Sequence, residues 1–138
     1  MNCSRRELAL LIPALAAASG ASAEALGSRL LRFEDLPARS SGPIKIREML
    51  NGETHGGFLL DMHVSELAAG GAPHAPHHHV HEEMLLVVEG LVESTIGGRK
   101  ATLGPGSAAY VASNEEHGLR NAGTTAAKYF VLALGRDT

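Results

Sequence analysis

The stretch Gly71-Ala72-Pro73-His74-Ala75-Pro76-His77-His78-His79-Val80-His81-Glu82-Glu83 decides the reading of this chain. Eight His occur in 138 residues, and five of them fall between His74 and His81. Side chains alternate across an extended backbone, so His77 and His79 share one face and His78 takes the other. Glu83 has the parity of His77 and His79, and it begins the apolar run Met84 to Val88. Two imidazoles and a carboxylate on one face suit a borderline divalent cation. A fourth ligand has to come from elsewhere, and His117 is the only His after His81.

Outward from this stretch the periodicity is two. Phe58, Leu60, Met62 and Val64 alternate with Leu59, Asp61, His63 and Ser65, the pattern of a half-buried strand. Met84 to Val88 is unbroken, as expected of a strand covered on both faces. Val92 to Ile96 alternates into Gly97-Gly98, a hairpin turn. Gly104-Pro105-Gly106 marks another turn, and Ala108 to Ala112, Gly118 to Arg120 and Lys128 to Leu134 read as further strands. Short strands with turns between them, 16 Gly and no long helical pattern predict an all-β sandwich or barrel. Residues 24–43, rich in Pro, Ser and charge, read as an N-terminal arm or linker with a short strand around Leu30 to Phe33. The barrel is expected over residues 44–136.

The spacing now carries a resemblance. Gly71, five residues, His77, one residue, His79, three residues, Glu83, six residues and Gly90 resemble the first motif of the cupin superfamily. Gly106, His117 and Asn121 are similar to the second motif at the family's spacing. Ala112 and Asn114 stand where that motif usually has Pro and Gly, in the turn ahead of the His. The resemblance spans roughly Lys45 to Leu134 and implies a cupin double-stranded β-helix, a jelly-roll barrel. It implies that His77, His79, Glu83 and His117 meet inside the barrel around one metal ion. Imidazole and carboxylate ligands without thiolate suit Mn, Fe, Ni, Co or Zn, and metal loading of a chain folded before export would favour Mn or Fe over the tighter-binding Zn. Three His and one Glu leave two octahedral positions for a small-molecule ligand. The resemblance implies a metal-dependent enzyme on a small oxygen-rich molecule, with a lean toward dioxygenase chemistry. Two alternatives are a non-catalytic cupin that binds a sugar or small acid, and a cupin isomerase or decarboxylase. No catalytic residue is assigned.

Other positions carry less. His74, His78 and His81 are expected at the rim or surface, and His55 and His63 as ordinary polar positions. Glu115 and Glu116 read as a solvated turn pair near the mouth. Asn121 either hydrogen-bonds a ligand or fixes its strand. Met84, Leu86 and Val88 point away from the expected metal, and their apolar character suggests cover by a second sheet or another subunit, hence a homodimer.

The chain opens with Arg5-Arg6, an apolar Ala/Leu-rich run from Leu8 to Ala18, and Ala21-Ser22-Ala23. A charged start, an apolar middle and an Ala-x-Ala end describe a secretory signal over residues 1–23, cleaved after Ala23. Ser4-Arg5-Arg6-Glu7-Leu8 resembles a twin-arginine export signal, which carries folded proteins. The expected location is the periplasm or exterior of a bacterial cell. The apolar run is too short for a stable membrane anchor, and Pro13 interrupts it. One Cys forms no internal disulfide. A net charge of −3 gives no electrostatic support to a nucleic-acid partner.

Overall fold

A computed structural model describes residues 24–135. The signal-peptide reading, on residues 1–23, lies outside the described residues. Nine antiparallel strands form the fold: β1 (Ala38–Ser41), β2 (Ile44–Glu53), β3 (Leu59–Leu67), β4 (Glu82–Glu89), β5 (Val92–Ile96), β6 (Arg99–Leu103), β7 (Ala108–Val111), β8 (His117–Asn121) and β9 (Ala127–Gly135). One sheet has the order β1-β2-β3-β9-β4-β7, the other β6-β5-β8. The fold is all-β, as the alternation and turn chemistry predict, and its two sheets form the jelly roll that the resemblance implies.

Two turns show why the sequence closes this way. Gly97 and Gly98 both adopt positive φ, the backbone a two-residue β5–β6 hairpin demands. Gly90, between β4 and β5, has φ 77°, and a Cβ there would lie 2.8 Å from Ala127 Cα. Only glycine lets the chain pass that close to β9.

Between the sheets, Leu67, Leu85, Val87, Val92, Tyr129 and Val131 form the core. The register of β9 orders the interior in levels. Ala127 faces Leu67, Tyr129 lies between Ser65 and Val87, and Val131 lies between His63 and Leu85. Ala133 lies between Asp61 and Glu83. The interior is thus apolar near Ala127 and becomes polar toward Gly135.

Three expectations are corrected. The strand placed around Leu30 to Phe33 is absent. The segment instead makes a 3-10 turn at Phe33–Asp35, and the first strand is β1, inside the stretch read as an arm. The turn is favoured locally, because Arg32 bonds the Glu34 carboxylate and buried Leu36 pins its end. Phe33 lies beneath the cations of Arg47 and Lys128, at 4.8 and 5.1 Å from its ring centre. The run Met84 to Val88 is not covered on both faces. Leu85 and Val87 are 7% and 3% exposed, whereas Met84 and Leu86 are 36% and 44% exposed. The reason is that β4 lies in a sheet whose outer face, around β4 and β7, no described segment covers. Finally, β3 is covered on both faces rather than half-buried: His63 and Ser65 line the barrel interior with Asp61 on the same parity, and Val64 on the opposite parity is only 1% exposed.

Candidate metal centre

The four predicted ligands come from three places that the fold brings together. His77 and His79 lie on the loop between β3 and β4, Glu83 is the second residue of β4, and His117 opens β8. The loop is not free. His77 and His117 exchange both backbone hydrogen bonds, at 3.0 and 2.9 Å, as an isolated bridge between the two motifs. The N–H of Asn114 donates to the carbonyl of His79 at 2.7 Å, tying the second motif's turn to the first. Asn114 has φ 61°. Asn is the residue that best tolerates that left-handed backbone after Gly, so the departure at this position preserves the turn.

Glu83 bridges two of the imidazoles. Its Oε2 lies 3.5 Å from His79 Nε2, and its Oε1 lies 3.9 Å from His117 Nε2. Ligand atoms of His77, His79 and His117 all lie within 4.8 Å of one another. Ligands at about 2.1 Å from one ion sit roughly 3–4 Å apart, so these separations fit a shared divalent cation.

The hydrogen bonds fix which nitrogens are available. His79 Nδ1 donates to the carbonyl of His81 at 2.9 Å, and His117 Nδ1 donates to the carbonyl of Glu115 at 3.0 Å. A carbonyl only accepts, so each Nδ1 carries a hydrogen, and in the neutral ring the lone pair is then on Nε2, the atom turned toward Glu83. Those two Nε2 atoms, and Nδ1 of His77, are buried without a hydrogen-bond partner. Three orphaned imidazole nitrogens beside a carboxylate are what a metal site leaves when its residues are ligands rather than structural hydrogen-bonders. Burial, and then the neighbouring His74, His117 and His79, hold the His77 imidazole below its ordinary pKa, with Glu83 opposing. Neutral imidazole is the form that ligates.

The remaining histidines divide. His78 is exposed, as expected of a surface residue. His74 is exposed and packs edge-on against His77, ring centres 4.2 Å apart. His81 is more involved than a rim position: it is half-buried, stacks on His79 at 3.6 Å, and groups with His79 and Glu83 as a second ligand-like triplet. Its parity, shared with His77 and His79, was the available signal. Glu115 pairs with Arg99 at 3.7 Å, and Glu116 is exposed beside an outer cavity. Asn121 fixes its strand and turn. Its amide donates to the carbonyls of Leu67 and Thr125, and its Oδ1 accepts from the N–H of Gly123, each at 2.8 Å.

Behind Glu83 the interior opens into a cavity of about 360 Å³, within the range of small-molecule sites. Its walls are mostly apolar, through Ile44, Ile46, Leu85, Leu119 and Val131. His63, Ser65 and Tyr129 add polar groups. Composition and spacing gave no sign that His63 belongs here, because a polar residue on an alternating strand reads as facing water.

The comparisons agree with this geometry. The family model described as a Cupin domain matches residues 63–133. Among curated proteins, none matches. Several solved structures share the fold. An RmlC-like cupin from Shewanella frigidimarina NCIMB 400 is 19% identical, covering 79% of this chain and 92% of that one, with TM-score 0.67. KdgF from Halomonas sp. is 18% identical, covering 80% and 97%, with TM-score 0.68. The polyketide cyclase RemF from Streptomyces resistomycificus is 21% identical, covering 78% and 80%, with TM-score 0.65. At these identities the likeness is one of fold. The family match takes in more than half of the chain and both ends of the ligand cluster, so the protein belongs to the cupin domain family.

Proposed function

We propose that the protein is a divalent-metal-dependent cupin enzyme that acts on a small oxygen-rich molecule, with dioxygenase-like chemistry as the favoured reaction. The observation that carries the metal reading is the set of buried, unpartnered nitrogens on His77, His79 and His117 around Glu83. When bound, Mn or Fe supplies Lewis acidity and access to redox chemistry. The chain's own contribution is arrangement. The carbonyls of His81 and Glu115 hold two rings in one tautomer, Glu83 balances cationic charge, and the apolar walls exclude water from the cavity. The oxidative choice rests on the resemblance and on the mixed imidazole–carboxylate donor set.

We also propose export and dimerisation. Residues 1–23 support cleavage after Ala23 and a periplasmic or extracellular location, and the Arg5-Arg6 pair supports export of the folded, metal-loaded chain. The exposed Met84, Leu86 and Tyr110 on the outer sheet face support a homodimer.

The deciding experiment is metal content per chain of protein purified without added metal or a His tag. The expected result is about one equivalent of Mn or Fe, lost in His79→Ala with the β-sheet circular dichroism retained, followed by oxygen consumption with a cognate substrate. Substoichiometric, mixed metal that survives His79→Ala would sink the reading.

A further inference from the structure

The polar face of β3 is the feature the metal reading leaves unused. The cavity is mostly apolar, yet on β3 its wall is polar: His63 and Ser65 line it, and Asp61 shares their parity at the rim. Such a local conflict is characteristic of functional positions. The three groups are not randomly placed. A bulge between Glu48 and Leu50 shifts β2 by one residue and sets Asn51 opposite Asp61. Asn51 Nδ2 then donates to Asp61 Oδ2 at 2.8 Å, and Asp61 Oδ1 accepts from His63 Nδ1 at 2.9 Å. With both its oxygens engaged, the carboxylate holds the hydrogen of the neutral imidazole on Nδ1. Nε2 of His63 is left as an acceptor on the wall of the cavity.

One level below, Ser65 is fully buried, and the Tyr129 phenol is its neighbour across β9. Glu83 stands on the other side of β9, two strand spacings or about 10 Å from β3. Neither Lys nor Arg lines the cavity among the described residues. An anionic group can therefore be neutralised only toward the metal cluster, on whose side His74, the other imidazole of the wall, packs against His77. Toward His63 the cavity calls for a hydrogen donor.

We propose that His63, positioned by Asp61 and Asn51, is a second recognition point of the ligand site, and that the site selects small monocarboxylic acids carrying a hydroxyl group. The carboxylate lies toward the cluster of His77, His79, Glu83 and His117, the hydroxyl donates to His63 Nε2, and any apolar body lies against Ile44, Ile46 and Val131. An acid without the hydroxyl leaves a half-buried acceptor unpaired, which is the strongest form of polar discrimination available to such a site. The assignment rests on the metal reading for the carboxylate end, but the His63 arrangement does not.

Two measurements separate those dependencies. In the metal-free chain, nitrogen NMR of the neutral His63 ring should show hydrogen on Nδ1, with the preference weakened in Asp61→Asn. A ring protonated at Nε2 would overturn the proposal whatever the metal content. In the Mn-loaded chain, calorimetry compares lactate with propionate and mandelate with phenylacetate. The hydroxy acids should bind about tenfold more tightly, and His63→Gln and His63→Phe should each cut that ratio to twofold or less while metal content stays unchanged. Equal affinities within each pair, no binding by any of the four, or a ratio that survives both variants would overturn it. Failure to load Mn would instead refute the metal reading, leaving the NMR result to stand on its own.

Discussion

Tyr129 shows how a single residue is set by its level in the barrel. It is 2% exposed, between Ser65 and Val87, and burial pushes its phenol up to about 12, with the Ser65 hydroxyl opposing and Glu83 reinforcing. The unfolded chain ionises the same group near 10.0. A folded-state pKa that is raised means stability fully present below the unfolded value and lost as pH rises from there through the folded one. The lost contribution is on the order of 2–3 kcal/mol. Unfolding followed by circular dichroism should therefore show a decline in stability between these two pH values that Tyr129→Phe lacks. A Tyr129 phenolate that forms near pH 10 with the sheet signal intact would contradict the burial argument. Burial and the neighbouring imidazoles likewise favour the neutral form of His77, so neighbours, not intrinsic chemistry, choose the form a side chain presents.

At the level of elements, the turns and bulges do more than connect strands. The Gly90 turn lets β4 hand over to β5 against the backbone of Ala126 and Ala127. Gly90→Ala combines a disfavoured left-handed backbone with contacts under 3 Å to backbone atoms that cannot step aside. A loss exceeding about 1 kcal/mol, or at least about 4 °C in Tm, is expected. Gly27→Ala, which meets nothing within 4 Å, should change stability by less than about 0.5 kcal/mol. Thermal unfolding of the two variants checks the contrast, and equal effects would mean that the Gly90 turn relaxes easily. The β2 bulge works in a similar way on function: one extra residue decides that Asn51, rather than Leu50, stands opposite Asp61. The His77–His117 bridge joins the two motifs, so ligands 40 residues apart in the chain share one end of the barrel.

For the whole molecule, the outer face of the larger sheet around β4 and β7 is apolar and is covered by no described segment. Met84, Leu86 and Tyr110 are exposed there, and the proposed homodimer would bury them. Leu86→Glu should raise the dimer dissociation constant by roughly 30-fold or more, as expected when a central apolar anchor is lost. Sedimentation of both proteins checks this, and a wild-type chain that is monomeric at micromolar concentration would refute the dimer. The sequence by itself determined the strand-and-turn order and the candidate quartet of His77, His79, Glu83 and His117. Those signals are local: period-two parity, glycines at turns and fixed spacings survive without knowledge of the rest of the fold. Alternation reveals that a strand has two different faces, but not which of them meets water. Only closure of the barrel decided that His63 and Ser65 face the cavity, that Met84 and Leu86 face outward, and that Asn51 reaches Asp61. Each of those outcomes depends on which distant strand lies alongside, and that pairing is a property of the tertiary structure.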